Sequence, residues 1–585
     1  MRKTFSTALL ALLLTTSPLF AQGAFYNLSL YAEREYPFNA GAGIWGYSDT
    51  MLVNGKPKIR ELALMCTYRG LSIVDISSPE LRQLAFIPSS ATNPNDFNNN
   101  WREVRTAGCY AYITTEAFGA GVQIVHLRPD ENNPDSIRYI GTFNTGGNNN
   151  QHNIGTDGMG YSWQVSPYIY VCGGTVTVTQ QFGNSGGVAI YDVSNPESPV
   201  LVGRYRARYV HDVYVRNDTM YCSNINSNEG VDIVSVANKS APARLKAFTY
   251  PNAGTHNIWL SDDSKFIFTT DEIAPSGQNI FRAHDAGDFN TIIINASTYK
   301  SPTGGNNPVV HNAYIKTHWA IMAHYTEGVK IVDVTEPYDL VEVGAFDTFT
   351  GSGGTAPNYN GCWGVYPYYP SEKIVASNIP IVFDNSPTNN GKLMVFTFNN
   401  ARAGAVYGTI RDAQTNTPIA NAEVKALDYY NKSRRTTSEG AYRIRTVQGA
   451  SKRFVFSAAG YRADTLTISV PENGDSVQVN VALLNATSGV PASNASSEFQ
   501  LHQNYPNPFN PTTTLTYQLP QASEVRLEVF DMMGRKIATL VNAKESAGAH
   551  AVTFAASQFS LTSGVYFYRL SAGGRMETKR MTLLK

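Results

Sequence analysis

The residues best suited to chemistry in this 585-residue chain are four histidines that recur with similar neighbours. They open the motifs His152-Asn153-Ile154, His211-Asp212-Val213, His256-Asn257-Ile258 and His311-Asn312-Ala313. Neutral imidazoles bind zinc, copper or iron, and a nearby carboxylate such as Asp212 would add an oxygen ligand. The set therefore indicates a divalent metal site formed by His152, His211, His256 and His311, with metal-assisted hydrolase or lyase chemistry as one use of it.

Two other interpretations compete with the metal site. Three further motifs of the same kind carry tryptophan instead of histidine, at Trp45, Trp101 and Trp363. Tryptophan cannot ligate a metal, so the interchange favours a structural position that any ring fills. Binding of a ligand without chemistry is the third interpretation.

Each motif precedes a similar set of short strands. After His211 come Val213–Val215, a turn at Asn217-Asp218, Met220–Cys222 and Gly230–Val234. A strand of the last kind recurs as Gly-x-x-Ile-Val, for example at Gly70–Val74 and Gly328–Val332. A recurrence every 45 to 60 residues or so is typical of a radial β-propeller.

The chain contains seven such units and then changes character near Ala401. The seventh unit stops after a third strand at Leu393–Phe398, whereas Phe25–Tyr31 alternates apolar and polar residues with no partner of its own. We expect this first segment to supply the missing strand and close the ring. The predicted fold is all-β: a seven-bladed propeller followed by two small Ig-like or transthyretin-like sandwiches.

The innermost strands of a propeller line its channel, so the openings of the seven units should meet at one mouth. Side chains alternate along a strand, and each ring should point away from the residue that follows it. The candidate ligand-binding residues at this mouth are Trp45, Trp101, Arg102, Glu103, His152, Asn153, His211, Asp212, His256, Asn257, His311, Asn312 and Trp363.

Acidic residues follow the second strand of several units, at Glu116, Asp271-Glu272 and Glu327. They suit calcium, or they are ordinary turn residues. His318, His324 and Tyr325 either extend a site near His311, or the two histidines form a solvent-facing pair. The sequence lacks the nucleophile-elbow, Walker, His-Glu-x-x-His and haem-attachment motifs.

Composition and the amino-terminal segment restrict the class of partner and the cellular location. Lys plus Arg equals Asp plus Glu at 46 each, so no basic field favours nucleic acid. Arg2-Lys3, an apolar run from Ala8 to Leu14, and a small residue at Ala21 predict a signal peptide over residues 1–21. No later stretch reaches the roughly 18 apolar residues of a transmembrane span.

Export would permit disulfides among the five cysteines. The repeat argues against them, because Cys66, Cys172 and Cys222 align with each other and with small residues of other units: Thr114, Thr269, Ala323 and Ala376. Residues at one radius of different blades should not come within bonding range. We expect free thiols.

The segment 403–484 carries sandwich-like strands around Gly408-Thr409-Ile410, Gly440-Ala441-Tyr442 and Ala459-Gly460-Tyr461. On these motifs it resembles the carboxypeptidase regulatory-like domain, a small module that is generally not catalytic. The resemblance implies a spacer or accessory role. The next residues, 485–498, are rich in Ser, Ala and Asn and predict a flexible linker.

The final segment, 499–585, begins with a proline-rich motif that holds the chain extended. With the later Asp531-Met532-Met533-Gly534 and Gly564–Arg569, it resembles a type IX secretion C-terminal sorting domain of the type A class. The resemblance implies passage across the outer membrane of a Gram-negative bacterium of the Bacteroidetes type, with the secretion machinery as partner. The sorting motif is Tyr505, Pro506, Asn507, Pro508, Phe509, Asn510 and Pro511.

The region 22–400 also has a family resemblance. Trp101–Arg105, Thr255–Asp263 and the recurring Val-x-Ile-Val-Asp strand resemble the choice-of-anchor B family with LVIVD repeats. That resemblance implies a propeller but no particular activity. We therefore predict an extracellular or surface-bound protein that binds a glycan or protein ligand, and the alternative is a metal-dependent extracellular enzyme using the histidines with zinc or calcium.

Overall fold

A computed structural model gives the architecture of the chain. It describes residues 26–37, 41–53, 56–93, 95–145, 151–158, 160, 166–173, 187–273, 280–287, 293–301, 309–349, 359–379, 390–427, 432–486, 499–504, 507–509, 512–559 and 561–584. These residues form two compact units, and the first comprises residues up to Ile331 together with Gly344–Phe398. The predicted signal peptide lies outside the described residues.

The predicted all-β class is confirmed, since the described residues contain strands and two short 3-10 helices at Phe97–Asn100 and Ala556–Phe559. The described strands from Leu28 to Phe398 form seven four-stranded sheets. Six sheets consist of strands consecutive in the chain: β2 to β5 (Gly41–Val53, Lys56–Thr67, Gly70–Asp75, Arg82–Pro88), β6 to β9 (Arg102–Ala107, Tyr110–Thr115, Val122–His126, Arg138–Phe143), β10 to β13 (Asn153–Thr156, Tyr168–Cys172, Val188–Asp192, Val200–Tyr205), β14 to β17 (Asp212–Arg216, Thr219–Asn224, Gly230–Ser235, Ala243–Phe248), β18 to β21 (Thr255–Leu260, Phe266–Asp271, Phe281–Asp285, Ile294–Tyr299) and β22 to β25 (Ala313–Lys316, Trp319–Ala323, Val329–Asp333, Val341–Phe346).

The remaining sheet joins the two ends of the propeller segment. Strands β26 (Gly361–Tyr366), β27 (Ile374–Ile379) and β28 (Gly391–Phe398) are completed by β1 (Leu28–Tyr36), which pairs antiparallel with β28. The first strands of successive sheets contact each other, and β26 contacts β2. The ring therefore closes with a strand from the amino-terminal side, as expected.

The closing strand lies further along the chain than Phe25–Tyr31. It begins at Leu28 and continues to Tyr36 through Glu33, Arg34 and Glu35. As the fourth strand of its sheet it is partly exposed, so charged residues are accommodated there and the apolar alternation that we used to find its end is lost.

The inner three strands of each sheet are buried on both faces, which explains their near-continuous apolar runs. The glycine that opens the third strand is required by geometry. Gly230 has φ +70°, and a Cβ at that position would lie 2.3 Å from the Phe248 carbonyl oxygen of the neighbouring strand. Core side chains of adjacent sheets pack together, as Ile190 does with Val213 and Met220 in one cluster.

All five cysteines are free, as predicted. The alignment behind that prediction was partly wrong. Asn153 pairs with Cys172, but the equivalent Asp212 pairs with Ser223 and not with Cys222. Asn257 likewise pairs with Thr270 and not with Thr269.

The second compact unit comprises Val332–Val343 and Asn399–Lys585. One pair of sheets surrounds a core that includes Val406, Ile444 and Phe456. Its strands are β29 (Ala403–Asp412), β30 (Glu423–Ala426), β31 (Ser433–Arg435), β32 (Ala441–Val447), β33 (Gly449–Ser457), β34 (Asp464–Val470), β35 (Ser476–Gln478) and β36 (Val481–Leu483).

A second pair of sheets forms the carboxy-terminal sandwich. Its core includes Leu515, Leu527 and Tyr568. The strands are β37 (Gln500–Leu501), β38 (Thr512–Leu519), β39 (Ser523–Phe530), β40 (Lys536–Glu545), β41 (Gly548–Ala555), β42 (Gly564–Ala572) and β43 (Arg575–Leu583).

Three residues of the sorting motif are attached to the last strand of this sandwich. Phe509 is 1% exposed and exchanges backbone hydrogen bonds with the end of β43. The Asn507 side chain accepts a hydrogen bond of 2.9 Å from the Thr582 amide, and Pro508 lies between them. Tyr505, Pro506, Asn510 and Pro511 lie outside the described residues, as does most of the predicted linker. Among the described residues, no helix is long and apolar enough to cross a membrane.

Candidate functional site

One end of the propeller channel contains a cavity of about 250 Å³. Neighbouring rings contact each other around it, with centroid distances of 4.0 Å for His152–His211, 4.5 Å for His211–His256 and 4.1 Å for His256–His311. The lining consists of Trp101, Glu116, His152, His211, His256, Glu272, Ile273, His311, Tyr325, Tyr359 and Trp363.

The first strands of the blades position these rings. His152 and His211 directly precede β10 and β14, and their amides continue the strand pairing by donating to Cys172 and Ser223. His256 and Trp363 lie within their strands at register shifts, which turn both side chains to the channel end.

The preceding blade holds several of these backbones in place. The Thr114 hydroxyl donates to the His152 carbonyl over 3.3 Å, and the Thr270 hydroxyl donates to the His311 carbonyl over 2.6 Å. The Cys172 thiol makes the equivalent contact with the next histidine at 3.5 Å. This role explains why small residues with a hydroxyl or thiol recur on the second strands.

His152 differs from its neighbours because a carboxylate holds it. Its Nδ1 lies 2.7 Å from Oε1 of Glu116. Burial acts to lower the pKa of His152, but this hydrogen bond and the charges of Glu116, Glu103 and Glu272 outweigh it and raise that pKa. His152 therefore favours the charged form more than a free histidine does.

The other three histidines favour the neutral form. Burial, followed by neighbouring histidines, lowers the pKa of His211 and of His256 well below the ordinary value. Burial lowers the pKa of His311 to about 3. The Nδ1 of His311 is 2.5 Å from the Trp363 carbonyl oxygen, which only accepts, so Nδ1 carries the proton and the lone pair is on Nε2.

A second carboxylate lies on the cavity floor. Burial raises the pKa of Glu272 to about 7, although the hydrogen bond from the Tyr325 hydroxyl lowers it. Oε2 of Glu272 is 3.5 Å from Nε2 of His256. The carboxyl group can therefore exchange a proton near neutral pH or serve as an oxygen ligand.

Two groups of three side chains have ligand atoms close enough to hold a metal ion. In each group, these atoms lie within 4.8 Å of one another, and all of the residues are buried. The first group is His152, His211 and His256. The second is His256, Glu272 and His311.

The structure brings together six of the predicted mouth residues: Trp101, His152, His211, His256, His311 and Trp363. It places Trp45 elsewhere. The register of β2 shifts between Gly41 and Ile44, so small residues occupy the position where other blades carry a ring. Trp45 consequently lies deeper along the channel, with the Arg105 guanidinium 4.1 Å from its ring centre.

A second layer of side chains surrounds Trp45 and was not foreseen. Trp45 contacts Tyr314 and Tyr366, and Tyr314 contacts Trp259. These residues come two positions after the Asn, Asp or Gly that follows each ring position, so a strict count along each first strand would have found them. Of these residues, Trp45 and Trp259 border a separate small cavity together with Asp212 and Asn257.

The remaining predicted residues have partners within the protein. Buried Arg102 donates to Ser89, Asn99 and Gln123, and burial lowers its pKa to about 10. Glu103 accepts from Arg105 and from the Trp363 indole, so it sits behind the cavity wall.

The amide and acidic side chains that follow the rings also bond locally. Asn153 accepts from the Ile154 amide, and Asn257 donates to Asp212. Asn312 is buried away from the ring cavity's lining. The expectation that each ring and its following residue point apart is consistent with this arrangement.

The acidic residues considered for calcium separate into two kinds. Glu116 and Glu272 lie in the cavity. Asp271 instead bonds Arg282 and Tyr250, and Glu327 bonds Lys330 and Ser301.

Of the second histidine cluster, Tyr325 alone lines the cavity. His318 packs against Trp319, and His324 lies outside the lining. The expectation of a solvent-facing histidine pair was wrong, because His324 is 0% exposed. Tyr359 and Ile273 are lining residues without a signal in the sequence, since they belong to irregular segments outside the repeat.

Comparison with protein families gives three matches. A model of the LVIVD repeat matches residues 183–207, the carboxypeptidase regulatory-like domain matches 405–484, and the secretion system C-terminal sorting domain matches 503–583. The resemblances to these three were therefore correct, whereas the choice-of-anchor B family stays a prediction. A search of curated proteins finds no match.

Solved structures with related folds are distant. A putative 6-phosphogluconolactonase from Bacteroides uniformis is 13% identical, with a TM-score of 0.34 over 48% of this chain and 80% of its own. Periplasmic gluconolactonase PpgL from Pseudomonas aeruginosa is 13% identical, with a TM-score of 0.36 over 61% and 96%. PorZ, a surface component of the type IX secretion system of Porphyromonas gingivalis, is 12% identical, with a TM-score of 0.28 over 91% and 72%. Similarity at this level carries no inference about activity.

The fold and the family matches define a class of protein. The chain is an all-β protein whose propeller-like unit carries an LVIVD repeat and whose end is a type IX sorting domain. That sorting domain implies export to the cell surface or the extracellular space by the type IX secretion system.

Proposed function

We propose that this exported protein is a surface glycan-binding propeller, and that the cavity lined by the histidine rings receives the end of a glycan. The observation that carries the proposal is the lining of that cavity, in which ring faces and two carboxylates converge. Small-molecule sites combine apolar and aromatic walls with a few polar groups in the same way.

The size of the cavity favours a glycan end over a folded protein partner. About 250 Å³ is slightly below the volume of a typical drug-sized ligand site and suits one or two sugar rings. A protein ligand would instead need an extended complementary surface of about 800 Å² on each partner. Charge agrees, since a neutral chain offers no field for a polyanion.

The polar groups suit hydroxyl-rich ligands. Glu116 is partly exposed and stands beside Trp101 at the rim, and Glu272 lies deeper. Carboxylates accept hydrogen bonds from sugar hydroxyls, and Trp101 and Trp363, whose ring centres are 5.1 Å apart, offer apolar surface to the sugar's C–H face. Residues 22–400 would thus recognise the ligand, 403–484 would act as a spacer, 485–498 would link, and 499–585 would direct export.

A glycan array probed with the purified mature protein tests this function. We expect selective binding that falls at least tenfold in Glu116→Gln, because the side chain loses its charge and one of its two acceptor oxygens while its volume is kept. The matched control is Phe118→Ala, since Phe118 is 59% exposed and lies outside the cavity lining. Equal binding by all three proteins, or no selective binding by folded wild type, would contradict the proposal.

A metal-dependent hydrolase or lyase is the second candidate. The observation in its favour is Glu272, whose pKa is raised to about 7 by burial beside potential metal ligands. Such a group can act as a general acid or base near neutral pH. Cleavage of an array-positive glycan by wild type, abolished in Glu272→Gln with binding retained, would support it. Glycan recovered intact after prolonged incubation would exclude it.

A further inference from the structure

We propose that His256, Glu272 and His311 bind one divalent transition-metal ion of the zinc type on the floor of the ring cavity, leaving an open position toward the entrance. The inference rests on the proposed function, because the open position is where a ligand hydroxyl would complete the coordination. The metal ion would thus be part of the glycan site.

The ligand atoms are close to the separation that such an ion needs. Zinc bonds of about 2.0–2.2 Å in a tetrahedral site place ligand atoms about 3.3 Å apart. Nε2 of His256 and Oε2 of Glu272 are 3.5 Å apart, and the three ligand atoms of the group lie within 4.8 Å of one another.

Neighbouring groups already orient the ligands from behind. The Trp363 carbonyl fixes the proton of His311 on Nδ1 and leaves Nε2 to bind a metal. The Tyr325 hydroxyl donates to Oε1 of Glu272 and leaves Oε2 available. Hydrogen bonds of this kind are the usual support of metal-binding histidines and carboxylates.

An unsatisfied ring nitrogen beside this group also points to a ligand. Nε2 of His211 is buried without a hydrogen-bond partner among the described residues. His211 is 8% exposed, lines the cavity and contacts the ring of the proposed ligand His256, with 4.5 Å between the ring centres. Buried polar atoms normally have partners, and a water bound to the ion would supply this one.

The alternative group, His152 with His211 and His256, is less suited to a cation. Its first member is hydrogen-bonded to Glu116 and favours the protonated form, so metal binding there would have to displace a proton. The group also lacks a carboxylate ligand to balance the ion's charge. We therefore assign the metal to the group that contains Glu272.

The test is calorimetric titration of Zn²⁺ into chelator-treated, dialysed mature protein, with no glycan present. We expect one Zn²⁺ per chain, at least a hundredfold weaker binding in Glu272→Gln and His311→Gln, and about tenfold weaker binding in Tyr325→Phe, which removes only the supporting hydroxyl. Unchanged binding is expected in His152→Gln and in His318→Gln, since His318 lies outside the cavity lining. Thermal unfolding followed by tryptophan fluorescence shows that each variant is folded.

Several outcomes would overturn the assignment. No stoichiometric Zn²⁺ on folded wild type would refute the site. Loss of Zn²⁺ in His152→Gln with retention in Glu272→Gln would place the ion in the alternative group. Zinc binding without any glycan binding would leave the metal site standing and refute the glycan function. Glycan binding unaffected by chelator would leave the glycan function standing and refute coordination of the ligand by the ion.

Discussion

Four histidine rings in contact can coexist only if most of them are neutral. Two positive charges about 4 Å apart repel by about 4 kcal/mol at the effective dielectric of a protein surface, and by more inside. The Glu116 carboxylate lies beside His152 and raises its pKa, whereas burial lowers the pKa of His211, His256 and His311. The imidazolium charge is therefore concentrated on His152, and nitrogens of the other three rings remain available to a ligand.

The buried His284, away from the cavity, gives a pH prediction at this scale. Burial, with help from Arg282, lowers its pKa to about 3. The unfolded chain therefore binds a proton below pH 6.5 that the folded protein refuses, and stability falls as pH decreases from 6.5 toward 3. Between pH 6.5 and 4.5, this one residue costs at most about 2.7 kcal/mol.

Urea unfolding of His284→Gln and wild type at both pH values tests the effect. All six tryptophans precede residue 399, so their fluorescence reports only on the first unit. We expect the free energy of unfolding to fall less on acidification in His284→Gln than in wild type. Identical falls would show that His284 titrates normally.

At the scale of elements, ring closure depends on β1, which carries one buried and one exposed leucine. Leu28 is 4% exposed and faces the core, whereas Leu30 is 39% exposed. We expect Leu28→Ala to lower the free energy of unfolding by about 2–4 kcal/mol and Leu30→Ala by less than about 1 kcal/mol. Urea unfolding midpoints measured by tryptophan fluorescence distinguish the two variants. Similar losses of stability in both would contradict this pairing register of β1.

The repeat made the blades predictable, because most of them carry the same turn glycine and apolar third strand. The sequence also placed the four histidines together, since each lies in a first strand or within two residues of its start. It misplaced Trp45, because the Trp-Gly pair resembles Trp363-Gly364 while Gly41-Ala42-Gly43 holds the equivalent backbone. Register shifts leave little trace in residue type. The protonation states of the histidines could not be predicted either, because they depend on which carboxylate contacts which ring.

At the scale of the whole molecule, the sorting domain should fail when its motif is detached. Phe509 is 1% exposed and packs against Phe554, while Met533 is 82% exposed. We expect Phe509→Ala to weaken the packing of the sorting motif on the last strand of the domain. Surface display should fall several-fold, and the protein should accumulate in the periplasm. Met533→Ala is the control. Protease accessibility on intact cells measures display, and full display of Phe509→Ala would contradict the expectation.

The most direct test of the central claim, that the ring cavity is the binding site, is calorimetric titration of an array-selected glycan into wild type and Trp101→Ala. Trp101 lines the cavity beside Trp363 and is partly exposed, so its removal takes away stacking surface. We predict that the dissociation constant is at least tenfold larger in Trp101→Ala and that the affinity is unchanged in Phe118→Ala. Equal affinities in wild type and folded Trp101→Ala would place the ligand elsewhere and contradict the account.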